Sequence, residues 1–207
     1  MIKSKQYLNL FFLIKFFLIY LIIGFYAFAE NSKKLENLIV LGTDDAPVKI
    51  KIFSSLTCPH CASFHINVLP KINKNYVKSG KVQLIFIDFP LDQVAFNASK
   101  LLHCLEQKNQ ITFLDDIYEK QSEWTSGSNI DEINNNLKNM VKNLGINSEK
   151  FDNCINNEAI GDKIITERIN GQEKYSIKST PTIIINEKKL EGSANFKNIK
   201  KRIEKLI

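Results

Sequence analysis

The sequence predicts an α/β fold into which an all-helical subdomain is inserted. Two apolar, β-branched segments at residues 48–53 and 82–89 bracket a helical pattern. Residues 91–160 then have helical periodicity throughout. A further helix, a β-hairpin at residues 183–192 and a last helix at residues 195–207 close the chain. This order of elements is typical of an α/β domain with a helical insertion.

The elements of the first half follow from periodicity and breaker residues. Residues 48–53 alternate apolar side chains with lysines, which is the period of a strand. Residues 59–78 repeat apolar side chains at helical spacing, and Gly80 ends that helix. Residues 82–89 form a second strand. The polar lead-in at residues 30–46 contains an apolar stretch that fits either a short helix or a short strand.

The inserted segment divides into several amphipathic helices. Apolar faces recur at residues 95–105, 111–121 and 133–144. Residues 128–131 have the spacing of a capping box, which predicts the start of the third helix at Ser128. A further helix follows after Glu158 and continues past Gly171 to Tyr175.

The N-terminus predicts export. Lys3 and Lys5 form a basic region, residues 8–28 are largely apolar, and Ala-Phe-Ala at 27–29 fits a cleavage site. We therefore predict a signal peptide at residues 1–29 and a single domain at 30–207. The alternative is an uncleaved anchor formed by residues 8–28. In both cases the functional part lies across a membrane.

Charge and cysteine content narrow the class of protein. The net charge is +6, and removal of three lysines with residues 1–29 leaves +3. The lysines are scattered, which disfavours a nucleic-acid partner. Four cysteines remain, at 58, 61, 104 and 154. A domain of this length can bury a core without disulfides, so the cysteines call for another reason.

Cys58 and Cys61 have the geometry of a redox-active dithiol. The run Cys-Pro-His-Cys at residues 58–61 follows a strand and opens a helix. At a helix N-terminus, free N–H groups and the dipole stabilise the first thiolate, while the second thiol faces inward. Pro59 suits the first turn because its missing N–H is not needed there. His60 adds a donor or a positive charge, which favours donation of disulfides.

Two other readings of this motif exist. A disulfide between Cys58 and Cys61 that serves structure alone would restrain only a short loop. A zinc site would need a second ligand pair, and Cys104 and Cys154 lack the usual close spacing. His65 would be one more ligand, but an amphipathic helix also carries such a residue without function.

With the motif at a strand–helix junction, the chain resembles the thioredoxin fold and, within it, the DsbA-like family of periplasmic disulfide oxidoreductases. The resemblance covers nearly all of residues 45–207. It depends on residues 53–61, the helical insertion, and Ser-Thr-Pro-Thr at 179–182. It implies a thiol:disulfide oxidoreductase in the periplasm that uses no cofactor and no metal.

The resemblance also implies roles for individual residues. Cys58 is the attacking and leaving thiol, Cys61 the buried resolving thiol, and His60 an electrostatic tuner. Pro181 is a cis-proline that faces the dithiol. The backbone of Thr180 pairs with the substrate chain as an added strand.

Three further features concern a second disulfide and the direction of electron transfer. Related oxidoreductases sometimes carry a second disulfide in the helical region, which implies a bond between Cys104 and Cys154; buried free thiols are the alternative. Ile52 occupies the position where thioredoxin-fold enzymes commonly have a buried acid. Threonine at position 180 occurs in isomerases and reductases as well as in oxidases.

The implied partners are exported polypeptides and a DsbB-like membrane quinone reductase that reoxidises the dithiol. Family isomerases dimerise through a separate N-terminal domain, for which residues 30–46 are too few, so a monomer is expected. The rival functions are a disulfide isomerase or reductase of the same fold, and a non-catalytic chaperone for exported chains.

Overall fold

A five-stranded mixed sheet forms the centre of the molecule. Its strands are β1 (Ile39–Leu41), β2 (Val48–Ser54), β3 (Val82–Asp88), β4 (Thr182–Ile185) and β5 (Lys188–Lys189). Their order across the sheet is β1-β3-β2-β4-β5. The pair β2–β3 is parallel and the other pairs are antiparallel. The apolar stretch before residue 46 is therefore an edge strand.

The structure is a computed structural model that describes residues 38–207. The predicted signal peptide, residues 1–29, lies outside the described residues. Among the described residues, no helix combines the length and the apolar character needed to cross a bilayer.

The register of β2 and β3 determines which residues meet at the edge of the sheet. Val48 pairs with Val82 at the amino ends, and Ser54 pairs with Asp88 at the carboxyl ends. Every residue of β3 except Ile87 is buried, as expected for a strand covered on both faces. The residues that follow Ser54 and Asp88 therefore leave the sheet side by side.

The connection between β2 and β3 is less regular than the single helix predicted for it. It consists of α1 (Pro59–Asn67), α2 (Leu69–Ile72) and a π-helical turn (Asn73–Val77). Pro70 lies in the first turn of α2. Since proline has no N–H to donate and its ring crowds the preceding turn, a continuous helix cannot pass through it. The predicted helix of residues 59–78 is therefore present as three consecutive helical segments.

The inserted segment is entirely helical, which confirms the predicted fold class. It contains α3 (Gln93–Cys104), α4 (Gln107–Glu119), α5 (Gln121–Trp124), α6 (Ile130–Lys142) and α7 (Ser148–Ile155). A disulfide joins Cys104 at the end of α3 to Cys154 in α7.

The start of α6 differs from the predicted capping box by one residue. The N-cap is Asn129, whose Oδ1 accepts hydrogen bonds from the N–H groups of Asp131 and Glu132. Glu132 in turn accepts a hydrogen bond from the N–H of Ser128. The helix therefore starts one residue later than predicted, and its acid at Glu132 bonds the N–H of the residue before the N-cap instead of forming the predicted pair of Ser128 and Asp131.

The last part of the chain completes the sheet. Helix α8 (Glu158–Tyr175) runs through Gly171 as predicted, and α9 (Phe196–Ile203) begins at the N-cap Asn195. The turn between β4 and β5 has positive φ at Asn186 (43°) and Glu187 (64°). Two consecutive residues with positive φ are typical of a tight hairpin turn.

Candidate active site

The dithiol lies where β2 ends and α1 begins. Cys58 is the N-cap residue of α1, with extended backbone dihedrals, and Pro59 occupies the first helical turn. The N–H of Cys58 donates to the carbonyl of Ser55 at 3.1 Å, which closes the preceding turn. Both cysteines are free thiols. The exposed fraction is 8% for Cys58 and 1% for Cys61, so Cys58 is the thiol that faces solvent.

The loop before β4 faces this dithiol. The peptide bond between Thr180 and Pro181 is cis. The thiol of Cys58 donates to the carbonyl oxygen of Thr180 at 3.5 Å. Pairing of Thr182 with Phe53 in the sheet holds the two segments together. The structure therefore brings Cys58, Thr180 and Pro181 to one place, although they are more than a hundred residues apart.

The two thiols have different acidities. Partial burial raises the pKa of Cys58, but the polar groups of Thr180 and Cys61 and the backbone N–H of His60 favour its thiolate and outweigh burial, so that the pKa of Cys58 is lowered. Burial raises the pKa of Cys61 to about 12. At neutral pH the outer sulfur is therefore the better anion and the inner sulfur remains a thiol.

Thr180 and His60 each offer the dithiol a group in addition to the one expected from the sequence. The hydroxyl of Thr180 is buried and has no conventional hydrogen-bond partner within residues 38–207, so it is available to a Cys58 thiolate. The imidazole of His60 is exposed, and the contribution of this residue to the acidity of Cys58 comes from its backbone N–H.

Sequence reasoning missed several polar residues that hold the active-site loop. Gln121 Nε2 donates to the carbonyls of Leu56 at 2.7 Å and of Cys58 at 3.2 Å. The hydroxyl of Thr57 donates to Asp92 at 2.7 Å. Asp92 also caps α3. The two bonds of Gln121 satisfy backbone carbonyls of a turn that has no strand partner, and nothing in the local pattern of α5 marks Gln121.

A buried polar cluster at the carboxyl end of β3 was also missed. Asp88 accepts hydrogen bonds from Ser99 Oγ at 2.6 Å through Oδ1, and its Oδ2 lies 2.8 Å from His103 Nε2. The position of Asp88 is informative in retrospect. It is the acid that ends the buried apolar strand β3, and carboxyl ends of parallel strands are where sites are built.

The alternative of a metal site gains no support from the described residues. No group of three or more metal-ligating side chains occurs among residues 38–207. Cys104 and Cys154 are bonded to each other. His65, the remaining candidate ligand, lies with its Nε2 2.6 Å from Asp115 Oδ1.

Comparison with known proteins agrees with this geometry. The thioredoxin family matches residues 34–205. A probable disulfide bond formation protein D from Bacillus anthracis is 30% identical over 171 residues, which cover 80% of this chain and 76% of that protein. The crystal structure of Wolbachia pipientis alpha-DsbA1 superimposes with a TM-score of 0.75 at 31% identity, covering 82% of this chain and 90% of the other.

This chain is a DsbA-like member of the thioredoxin family. Oxidised BdbD from Bacillus subtilis is a second solved structure of this type, with a TM-score of 0.71 and 26% identity over 83% of this chain and 93% of the other. The DsbA-like chain is accordingly a thiol:disulfide oxidoreductase. The predicted family, fold and enzyme class are confirmed.

Proposed function

We propose that this DsbA-like protein donates disulfides to exported polypeptides in the periplasm, using the Cys58–Cys61 pair. The observation that carries the proposal is the position of Cys58 at the N-terminus of α1, where hydrogen bonds lower the pKa of its thiol. A stabilised thiolate stabilises the reduced dithiol, and the corresponding disulfide is then a stronger oxidant.

The exchange begins at Cys58. A substrate thiolate attacks Sγ of Cys58, the Cys58–Cys61 bond breaks, and Cys61 leaves as a thiolate that takes up a proton. A second substrate thiolate then attacks the substrate sulfur of the mixed disulfide, and Cys58 leaves as a thiolate. The substrate has lost two electrons and the enzyme has gained them. Because Cys58 is the more exposed and more acidic thiol, it is both the accessible sulfur and the better leaving group.

The surface around Cys58 suits an unfolded chain. Pro59 and His60 are exposed beside the dithiol. Leu91 is exposed, and its N–H donates to Ser55 Oγ at 3.4 Å, which holds this apolar side chain next to the active-site turn. Together with the backbone of Thr180, these residues offer apolar and main-chain contacts that do not depend on a particular substrate sequence.

The wider setting follows from the same proposal. A signal peptide at residues 1–29 delivers the protein to the periplasm, where a DsbB-like quinone reductase in the membrane reoxidises the dithiol. The protein acts as a monomer on folding polypeptides, without cofactor or nucleic acid. The bond between Cys104 and Cys154 serves structure: it closes a segment of 50 residues, for which the chain-entropy estimate is about 4 kcal/mol of stabilisation.

The test is oxidation of a reduced, unfolded protein that has two native disulfides. We expect the oxidised wild-type protein to restore activity to this substrate, and Cys58→Ser and Cys61→Ser both to lose all activity, because neither variant can form the disulfide that is donated. The double variant Cys104→Ala/Cys154→Ala is the control, and it should retain the oxidation rate.

The rival functions give different results in the same assay. A chaperone would keep its ability to suppress substrate aggregation, and Cys58→Ser would then behave as the wild type in folding yield. An isomerase would act faster on a substrate with wrongly paired disulfides than on a reduced one. Either result would contradict the proposed function.

A further inference from the structure

The excess positive charge of the described chain lies in residues 187–207. This segment contains seven lysine or arginine side chains and three glutamates. Residues 38–186 contain 16 lysines and arginines against 17 acids. The segment that carries the excess consists of β5, α9 and the turns beside them.

A cleft between β5 and α9 collects this charge. Its volume is about 410 Å³, within the range of about 300–1,000 Å³ that is typical of sites for small ligands. Glu191 is the one acid among the described residues that line it. Strand β5 contributes two basic residues to the lining, and α9 with the turn after it contributes three, which are Lys188, Lys189, Lys201, Arg202 and Lys205.

The protein itself does not neutralise these cations. Lys189 Nζ donates to the backbone carbonyls of Tyr175 and Ser176, which carry no charge. The other four basic residues of the cleft form no ion pair with another residue of the described chain. Arg202 is half-buried, and its planar guanidinium can donate two parallel hydrogen bonds to one phosphate group.

The other two acids of this segment are engaged elsewhere. Glu187, in the hairpin turn, forms ion pairs with Lys51 and Lys174. Glu204 lies 3.6 Å from Lys200 on the preceding turn of α9. Their charges are compensated by lysines outside the cleft, so the excess positive charge of the cleft remains.

The cleft lies away from the dithiol. Lys188 pairs with Ile185, and Ile185 pairs with Ile50 near the amino end of β2, whereas the dithiol follows the carboxyl end of that strand. The end of α9 is held at the same end of the sheet, because Glu204 accepts a hydrogen bond from Tyr76, which precedes β3. A surface bound at the cleft therefore leaves the dithiol open.

The composition of the cleft favours a lipid surface over other partners. Protein–protein interfaces are enriched in aromatic side chains and depleted in lysine, and single-stranded nucleic acids stack on aromatic rings. The described lining of the cleft contains four lysines, one arginine and no aromatic residue. Clusters of about four to eight basic residues on an amphipathic helix are typical of sites for anionic phospholipids. Helix α9 has this character, since Ile199 and Ile203 are buried while its lysines are exposed.

Lysines on an edge strand also prevent pairing with a second sheet. This explanation accounts for Lys188 and Lys189 on β5. It does not account for the three basic residues that α9 and the turn after it place in the same cleft.

We propose that the cleft between β5 and α9 binds the phosphate groups of anionic phospholipids and thereby holds the protein at the surface of a bilayer. Arg202 binds a headgroup phosphate, and the surrounding lysines bind neighbouring headgroups. The attachment is electrostatic because the apolar face of α9 is packed in the core, so it is reversible and sensitive to salt.

This inference goes beyond the proposed function and holds for either direction of electron flow. The attached protein presents its dithiol to polypeptides on the side away from the bilayer. A reversible attachment also lets the protein turn its dithiol towards an oxidant in the membrane.

The test is sedimentation with lipid vesicles. Protein produced from the full chain is mixed with vesicles of phosphatidylcholine, or of phosphatidylcholine with an equal part of phosphatidylglycerol, and the bound fraction is measured. We expect much tighter binding to the anionic vesicles, and release at about 0.5 M salt. An apolar N-terminal segment, where it is retained, is present with both kinds of vesicle, so the difference between them reports the basic surface.

Substitutions identify the cleft as the site. Lys201→Gln/Lys205→Gln should weaken binding to anionic vesicles by about tenfold or more, since each cation at such a surface contributes about fivefold in affinity. Lys201→Arg/Lys205→Arg keeps both charges and should bind as the wild type does. The matched control is Lys142→Gln/Lys150→Gln, which removes two exposed lysines of the helical insertion and should have little effect.

Three results would overturn the proposal. Equal losses for the two glutamine variants would show that net charge, not the cleft, determines binding. Equal binding of the wild type to neutral and anionic vesicles would exclude headgroup recognition. Tighter binding to polyglutamate than to vesicles with the same concentration of negative charge would identify an acidic polypeptide as the occupant.

The outcome is independent of the proposed function. Lys201→Gln/Lys205→Gln should unfold at the wild-type temperature, because the replaced side chains are exposed, and should oxidise a soluble substrate at the wild-type rate. Vesicle binding can therefore fail while disulfide donation stands. Vesicle binding by the wild type together with no oxidation of the substrate would contradict the proposed function alone.

Discussion

At the scale of single residues, Cys58 and Cys61 carry the same thiol group three positions apart, but the two thiols differ in exposure and in pKa. Cys58 is the extended N-cap residue of α1 and its thiol donates a hydrogen bond to the carbonyl oxygen of Thr180, whereas Cys61 is enclosed by the core. The lowered pKa of one and the raised pKa of the other assign the attacking and resolving roles.

This difference predicts how the reduced protein reacts with iodoacetamide. The rate of alkylation at Cys58 should rise with pH and then reach a plateau. The midpoint of this rise should lie below the ordinary cysteine pKa of about 8.5, because the pKa of Cys58 is lowered. Cys61 should remain unmodified in the folded protein up to a much higher pH. Peptide mapping after timed alkylation measures both rates. A Cys58 midpoint at or above 8.5 would contradict the site geometry.

The same shift affects the stability of the reduced protein. A pKa that is lower in the folded than in the unfolded chain stabilises the folded state at pH values above the unfolded pKa, and this contribution is lost as the pH falls through the folded pKa. The free energy of unfolding of the reduced protein should therefore increase relative to that of Cys58→Ser as the pH rises through that window. This pH-dependent gain should be absent at acid pH.

At the scale of elements, helix α8 packs against the end of β2 at one glycine. A Cβ added at Gly171 would overlap the ring of Phe53. Phe53 is 2% exposed and directly precedes the residues that lead to the dithiol. Close contact between α8 and β2 therefore requires glycine here, even though glycine weakens a helix by about 1 kcal/mol relative to alanine.

This contact predicts opposite effects for two glycines of the same helix. We expect Gly171→Ala to lower the free energy of unfolding by about 1–3 kcal/mol, because the added methyl group overpacks against a buried ring. Gly161→Ala should be neutral or stabilising, since its Cβ meets the flexible end of Lys100 and the edge of Phe96 at 3.0–3.1 Å. Urea denaturation measures the free energy of unfolding of both variants. Equal effects of the two substitutions would contradict the close packing of Gly171 on Phe53.

At the scale of the whole molecule, the sequence predicted what is local and missed what depends on packing. The dithiol, the hairpin and the helical insertion were predictable because motif spacing and periodicity are contained in short segments. The break in the first crossover was also encoded locally, by Pro70, but the apolar periodicity on both sides concealed it.

The supporting residues of the site were not predictable in this way. Asp92 and Gln121 lie at the starts of two different helices of the insertion, and each is unremarkable within its own segment. They hold the active-site turn because Gln121 donates to the carbonyls of Leu56 and Cys58 and because Asp92 accepts a hydrogen bond from Thr57. Register and helix packing depend on the complete core, which single-sequence periodicity does not determine.

The direction of electron flow is a property of the molecule as a whole, since it depends on the free-energy difference between its reduced and oxidised forms. The most direct measurement is the reduction potential of the Cys58–Cys61 pair at equilibrium with glutathione. A disulfide donor should lie above about −200 mV, towards the value of about −120 mV for DsbA. A potential near that of thioredoxin, about −270 mV, would contradict the account and identify the protein as a reductase.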